Sequence, residues 1–113
     1  MAFRVNIKTW CVYILKLDNG NLYTGITKNL KRRLQQHCSK RSGAKYVRGK
    51  NFTLVYHSAK AYDHKTAAQM EYNLKRKRNK YFKLRLIKNK PLFLHKYLTS
   101  HCDELGRTLL SFG

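Results

Sequence analysis

Acidic residues are scarce in this chain of 113 residues, which has five Asp and Glu against 25 Lys and Arg. The formal net charge of +20 repels the compact state, and a polyanionic partner is the usual reason why a protein tolerates such repulsion. Because Lys and Arg release the counterions condensed on nucleic acids, the composition favours a nucleic acid as that partner. A surface that serves solubility alone needs far less charge.

Long apolar runs are absent as well, so the sequence offers no candidate membrane span, and it shows no secretory leader pattern. We therefore expect no membrane partner and a cytoplasmic protein, in a bacterium. The cysteines are few and odd in number, which argues against a disulfide framework. They are interpreted as buried thiols in a reducing compartment: Cys11, Cys38 and Cys102.

Two β-branched and aromatic runs, residues 10–17 and 22–27, flank a turn and predict a β-hairpin. A two-residue turn would place Tyr13 and Tyr23 on opposite faces of the sheet. A three-residue loop with Gly20 in the left-handed conformation would place both on one face, because side-chain parity follows the register. We predict the three-residue loop. The other face is then lined by Val12, Ile14, Leu22 and Ile26.

A helix and a third strand are expected after the hairpin. Thr27 or Asn29 can cap a helix over about residues 29–39, and residues 52–59 alternate as a strand. The buried stripe of this helix is expected at every fourth residue, which gives Leu30, Leu34 and Cys38. Arg33 and His37 would then lie on the flank of the stripe, where packing fixes a side chain that still reaches a cleft.

Two further helices are predicted. Asp63 caps one that runs to about residue 77, and the next covers about residues 79–89. The first turns Ala67, Met70 and Leu74 inward, and the second carries Tyr81, Leu84 and Ile87. The sequence therefore predicts an α+β fold in which a three-stranded antiparallel sheet is flanked by helices. We expect one domain over residues 1–90 and a C-terminal extension over 91–113 that packs partly on it.

Glu71 is the most informative residue of the chain. It is the only acid between Asp63 and Asp103, and a run of cations follows it closely. One interpretation is an ion pair with Lys75, which contributes only a few tenths of a kcal/mol, about 0.3–0.5. The other is a hard oxygen ligand for magnesium, which commonly takes one or two carboxylates together with substrate phosphate and water.

Several motifs in order resemble the GIY-YIG nuclease family. Val12-Tyr13 and Tyr23-Thr24-Gly25 are similar to its two namesake motifs on neighbouring strands. Residues 25–37 are similar to the family's helix bearing Arg and His, and residues 68–75 to the helix bearing its metal carboxylate. Residues 42–56 resemble the small, single-domain bacterial branch. Two departures are the Cys-Val pair before Tyr13 and a late family Asn whose counterpart could be Asn73, Asn79 or Asn89.

The resemblance implies a metal-dependent DNA endonuclease that hydrolyses phosphodiester bonds in DNA repair, recombination or processing. Glu71 would hold Mg²⁺ or Mn²⁺, and a tyrosine, with Tyr13 preferred, would take the proton of the attacking water. The positive field and the metal are expected to favour the phenolate of that tyrosine. His37 would accept its proton or orient it, Arg33 would stabilise charge on the phosphoryl oxygens, and Tyr23 would hydrogen-bond the phosphate or the water.

A basic, Gly-punctuated segment over residues 39–50 carries candidate DNA contacts, which are Lys45, Tyr46, Arg48 and Lys50, and Lys75 is added from the later helix. Cations with an aromatic ring suit single strands, although a merely solvated loop explains the segment equally well. We expect a monomer that reads DNA structure or single-strandedness. No zinc is expected, since His37-Cys38 and His101-Cys102 are too far apart in sequence for a known zinc motif.

Two alternatives remain. A non-catalytic basic protein that binds DNA or RNA explains the charge equally well, but it leaves Glu71, Arg33 and the tyrosine pair unexplained. A nuclease-like domain could also act through a partner that docks on the apolar residues 92–98, although the same patch could be a terminal helix that closes the core.

Overall fold

Residues 8–38 and 51–100 are described by a computed structural model. Three strands form an antiparallel sheet in the order β2-β1-β3. The strands are β1 (Cys11–Leu17), β2 (Leu22–Thr27) and β3 (Phe52–His57). The helices of the described ranges are α1 (Leu30–Cys38), α2 (His64–Arg76), α3 (Lys80–Asn89) and α4 (Leu94–Ser100). The predicted α+β fold with a three-stranded antiparallel sheet is confirmed.

The β1–β2 hairpin adopts the register of the three-residue loop. Leu15 lies opposite Tyr23, and Tyr13 lies opposite Gly25. Gly20 closes the loop with a φ of +84°, a left-handed conformation that glycine adopts without the steric cost of a side chain. The predicted register is therefore confirmed, and it places the rings of Tyr13 and Tyr23 on the same face of the sheet.

Strand β1 is central and is covered on both faces. Val12 and Ile14 pack against α2, α3 and α4 in the larger core cluster, which Leu22 and Ile26 join from β2. The alternate residues of β1, led by Tyr13, pack on the other face with Leu30 and Leu34 of α1. Each element thus buries one apolar face. The two layers meet at β1, which is buried on both faces along most of its length.

Helix α1 is rotated relative to the prediction. Asn29 caps it, because its Oδ1 accepts from the backbone N–H of Arg32 at 3.0 Å. His37 is completely buried, whereas Cys38 is exposed, so the expected buried stripe was wrong at its last position. The buried face follows positions i, i+4 and i+7 from Leu30, which places the imidazole under the sheet. Cys11 is the buried thiol, and Cys102 lies outside the described residues.

Helix α2 begins at the predicted cap, Asp63, and helix α3 is capped by Asn79, the first residue of its predicted range. Both side chains accept from the backbone N–H three residues on. The inward residues of α2 are Ala67, Met70 and Leu74, as predicted, together with Asn73. Helix α3 differs, because it buries Phe82 and Leu86 while Tyr81 and Leu84 are exposed. Phe82 of α3 packs against Tyr97 of α4, with 5.8 Å between ring centroids. The sequence pattern of α3 alone does not reveal this contact.

Helix α4 closes the larger core cluster. Leu94 and Leu98 are completely buried there, whereas the preceding Leu92 and Phe93 are more than half exposed. Buried Arg78, between α2 and α3, donates to Asn73 Oδ1 at 3.1 Å and to the carbonyl of Leu98 at 2.9 Å. The division at residue 90 remains a prediction, but residues 94–98 share the core of the domain. No helix of the described ranges is long and apolar enough to cross a membrane.

Candidate active site

Three aromatic rings meet on the face of the sheet that α1 covers. The ring of Tyr13 lies 6.4 Å from that of Tyr23 and 5.9 Å from the imidazole of His37, measured between centroids. Tyr23 and His37 pack edge to face at 5.6 Å, and Phe52 of β3 contacts the imidazole in the same way at 6.1 Å. The hairpin register and the rotation of α1 together create this contact.

Tyr13 and His37 form a buried hydrogen bond, with 2.8 Å between the phenol oxygen and Nε2. Burial raises the pKa of Tyr13 to about 12, against the opposing effect of a hydrogen bond from Arg33. The positive charge of Arg33 alone therefore does not favour the phenolate, and the expectation that the field and a metal together favour it stays a prediction. The loss of hydration destabilises the phenolate more than Arg33 stabilises it.

The direction of the Tyr13–His37 bond depends on the tautomer of the imidazole. Burial, and then the charge of Arg33, lower the pKa of His37 to about 4, so the imidazole is neutral at neutral pH. Arg33 also acts on the phenol, whose pKa it lowers against the effect of burial. In the tautomer that carries its proton on Nδ1, Nε2 of His37 accepts the proton of Tyr13. The pair is set up as a phenol that can pass its proton to a neutral imidazole.

Gly25 leaves the space that Tyr13 occupies. A Cβ at this position would lie 2.5 Å from the phenol oxygen and 2.6 Å from the ring carbon Cζ of Tyr13. The sequence indicated a close approach at this glycine, and the approaching group is the tyrosine of the opposite strand. A side chain larger than hydrogen would therefore displace the phenol from His37.

Substituting Gly25→Ala is expected to destabilise the fold by roughly 1–3 kcal/mol, the usual effect of overpacking, and to reduce any activity that needs Tyr13. The free energy of unfolding in denaturant measures the first effect. Gly20→Asn is the matched control, because nothing lies within 4 Å of the Cβ position there and Asn tolerates left-handed backbone. Equal stability of Gly25→Ala and wild type would contradict the steric argument.

Arg33 is held in place by its own helix. Its Nη1 donates to Oε1 of Gln36 at 3.0 Å. Gln36 is half-buried. The spacing of three residues on a helix, which brings side chains together, was the available signal for this contact. Gln36 and Phe52 are thus the contributors that the sequence interpretation missed.

Glu71 and Lys75 approach the rings from α2. Lys75 Nζ lies 3.3 Å from Glu71 Oε2 and 5.5 Å from the centroid of the Tyr23 ring. The charge of Glu71 also acts on Tyr13, whose pKa it raises slightly. Because β2 is an edge strand, side chains of α2 can meet Tyr23 around that edge, although the body of α2 packs on the other face of the sheet.

All five residues predicted for catalysis therefore lie in one region, which we call the candidate site: Tyr13, Tyr23, Arg33, His37 and Glu71. Lys75, predicted as a DNA contact, belongs to the same region. The other predicted DNA contacts lie outside the described residues: Lys45, Tyr46, Arg48 and Lys50. Within the described ranges no three His, Cys, Asp or Glu side chains cluster as metal ligands.

Residues 9–85 match the family described as the GIY-YIG catalytic domain. This chain belongs to the GIY-YIG family. Its relatives include a UPF0213 protein of Autographa californica nuclear polyhedrosis virus, 67% identical over 83% of this chain and 90% of the relative. Another is a UPF0213 protein of Photorhabdus laumondii, 42% identical over 80% and 86%. The solution NMR structure of a UPF0213 protein from Bacillus halodurans is 36% identical, with a TM-score of 0.45 over 72% of this chain and 84% of that one.

Membership of the GIY-YIG family gives the chain a nuclease-type domain, for which a nucleic acid is the substrate. The family predicted from the motifs is confirmed, and relatives occur in viruses as well as in bacteria. The three candidate asparagines are tied to the helices of this GIY-YIG domain. Asn73 accepts from Arg78, Asn79 caps α3, and Asn89 donates to the hydroxyl of Tyr97 at 3.3 Å.

The depressed pKa of His37 makes stability depend on pH. Between its ordinary value of 6.5 and about 4, the unfolded chain binds a proton at this residue that the folded chain does not. The stabilisation is complete above pH 6.5 and is lost as the pH falls toward about 4.

We expect the melting temperature to fall across this pH range, and to fall less in His37→Gln. Thermal unfolding followed by circular dichroism measures both, with exposed His57→Gln as control. Parallel pH profiles for wild type and His37→Gln would contradict the assignment.

Proposed function

We propose that this GIY-YIG protein is a metal-dependent endonuclease that hydrolyses phosphodiester bonds of DNA, with a preference for single-stranded or structurally irregular substrates. The observation that carries the proposal is the convergence of Tyr13, Tyr23, Arg33, His37 and Glu71 from two strands and two helices. A protein that only bound nucleic acid would need cations, but not a buried phenol–imidazole pair beside a carboxylate.

The donor set fits a lightly ligated hard cation. Glu71 is the carboxylate that acts on Tyr13, its side chain is 25% exposed, and it forms an ion pair with Lys75. One protein oxygen together with substrate phosphate and water suits Mg²⁺ or Mn²⁺. When bound, such an ion would polarise the phosphate and lower the pKa of a coordinated water.

The residues of the chain divide the remaining work. Tyr13 is placed to take a proton at its phenol oxygen while it gives its own proton to Nε2 of His37, so no free phenolate is required. The arriving phosphate would offset the Arg33 charge that holds the pKa of His37 low, which increases the proton affinity of the imidazole. Arg33 donates to the phosphoryl oxygens through its planar fork.

The other parts of the candidate site serve binding. Tyr23 is placed to donate its hydroxyl to the phosphate or the attacking water. Lys75 contributes positive charge beside that ring. The proposal assigns backbone gripping and base stacking to Lys45, Tyr46, Arg48 and Lys50. It also includes a monomer that acts in the cytoplasm in DNA repair, recombination or processing.

Cleavage of matched single-stranded, duplex and branched DNA, with RNA controls, tests the proposal. We expect cleavage of single-stranded or branched DNA in Mg²⁺ or Mn²⁺, none in EDTA, and intact RNA. The comparison must use protein at equal DNA occupancy, because binding by so basic a protein falls steeply with salt. Salt-sensitive binding without cleavage under any metal condition would favour the non-catalytic alternative and overturn the proposal.

A further inference from the structure

A cavity of about 310 Å³ adjoins the candidate site and shares Arg33 with it. It opens between the start of β1, the end of β2 and the outer side of α1. Its lining includes Trp10, Ile26, Lys28, Arg32 and Arg33. No acidic residue among those that the structure describes contributes to this lining.

The walls of the cavity combine two chemistries. Trp10 and Ile26 supply apolar surface, whereas Lys28, Arg32 and Arg33 supply positive charge. A ligand that matches both walls has a flat apolar part and an anionic part, as a nucleotide does. Stacking on an aromatic ring suits every base, because every base has a π-face.

Trp10 is fixed before any ligand arrives. Its backbone N–H donates to the carbonyl of Tyr62 at 2.9 Å, and the N–H of Tyr62 donates back at 3.3 Å. The imidazole of His64 packs edge to face against the indole, with 4.7 Å between centroids. A stacking surface that is already ordered loses little conformational entropy on binding, which favours affinity.

Arg33 belongs to both regions. It lines the cavity, and it also acts on the phenol of Tyr13, whose pKa it lowers against the effect of burial. A group in the cavity is therefore separated from the phenol of Tyr13 by the guanidinium of Arg33. The occupant is then the nucleotide next to the bond that is cut.

We propose that this cavity binds one unpaired nucleotide of the substrate strand, with its base on Trp10 and its phosphate on Arg32 and Lys28. The assignment of this nucleotide to the substrate rests on the proposed endonuclease function. A base in a duplex is paired and stacked on its neighbours, so it must leave the helix to enter. The cavity thereby selects strands that already contain unpaired bases.

Intrinsic fluorescence tests the proposal directly, because Trp10 is the single tryptophan of the chain. The full protein is titrated in EDTA with a single-stranded oligodeoxynucleotide, with an abasic strand of equal length, and with the blunt duplex. Anisotropy of a dye on each DNA reports binding separately. We expect the intact strand to quench Trp10 strongly and to bind roughly ten-fold or more tightly than the abasic strand. The duplex should bind with little quenching.

Variants separate stacking from a general loss of folding. In Trp10→Leu the ratio of the affinities for intact and abasic strands should fall toward one. Any change in the folded fraction affects both affinities equally, so it cancels in this ratio. Arg32→Ala should weaken binding several-fold more than Arg85→Ala, which removes an exposed helical arginine that does not line the cavity. A ratio that survives Trp10→Leu, or equal quenching by abasic or duplex DNA, overturns the proposal.

The cavity and the catalytic proposal can fail separately, since the titration needs no cleavage. Base-dependent quenching in a protein that never cuts DNA supports the cavity and removes the endonuclease function. Metal-dependent cleavage without base-dependent quenching supports the endonuclease function and overturns the proposal for the cavity.

Discussion

Replacing Glu71 with glutamine is expected to lower the rate of DNA cleavage by roughly 10³-fold or more, because the carboxylate that would hold the cation is removed at almost constant shape. DNA binding in EDTA should stay the same or tighten slightly, since a negative charge disappears from a basic surface. Single-turnover cleavage and dye anisotropy at several salt concentrations measure the two effects.

Asp18→Asn is the matched control for Glu71→Gln. It makes the same change of charge at an exposed position of the hairpin loop. It should leave cleavage within about two-fold of wild type, as expected for a surface substitution with little effect on stability. Cleavage that survives in Glu71→Gln would remove the metal role of this residue, whatever the control shows.

Removing the hydroxyl of Tyr13 is expected to reduce cleavage by roughly 10²–10⁴-fold, the usual range for loss of a proton-transfer group. The substitution Tyr13→Phe also takes away the phenol that Nε2 of His37 contacts in the buried pair. A stability loss of about 1–3 kcal/mol should accompany it. Cleavage rates at fixed temperature, with unfolding curves for the same samples, separate chemistry from stability.

Tyr56→Phe provides the comparison for Tyr13→Phe. Tyr56 is another buried tyrosine, on β3, and its hydroxyl donates to the carbonyl of Pro91 at 2.6 Å on the opposite face of the sheet. Its loss should cost similar stability and leave cleavage nearly unchanged. Equal losses of cleavage in the two variants would mean that Tyr13 serves the fold alone.

The hairpin was predictable because its loop chemistry leaves little choice. A two-residue type I′ turn needs positive φ at Asn19 as well as at Gly20, whereas the three-residue loop needs it at Gly20 alone. Only Gly20 of the loop has positive φ, and side-chain parity then fixes the faces of Tyr13 and Tyr23. The caps at Asp63 and Asn79 were predictable for the same reason, since their short polar side chains act within one turn.

The rotation of α1 was predictable in principle but not by counting every fourth residue. His37 lies seven residues after Leu30, nearer the middle of that face than Cys38. A polar ring at a core position is unexpected until its partner is known. That partner, Tyr13, is remote in sequence and gives the imidazole a hydrogen bond in the core.

Two features depended on tertiary structure that no local pattern records. The pKa values of Tyr13 and His37 are set first by burial, which a count of charges does not reveal. The position of Lys75, the ion-pair partner of Glu71, over the ring of Tyr23 depends on α2 packing over an edge strand. The motifs indicated which residues belong together, and packing determined their protonation.

The link from Arg78 to the carbonyl of Leu98 has a consequence for dissecting this protein. The carboxylate of the candidate site is carried by α2, and α2 rests on a helix that begins nine residues after the end of the family match. A fragment cut to the family boundary would keep the phenols and the imidazole but lose the support that aligns Glu71 with them. Helix α4 is in this sense part of the machinery, although its buried side chains pack in the core on the opposite face of the sheet.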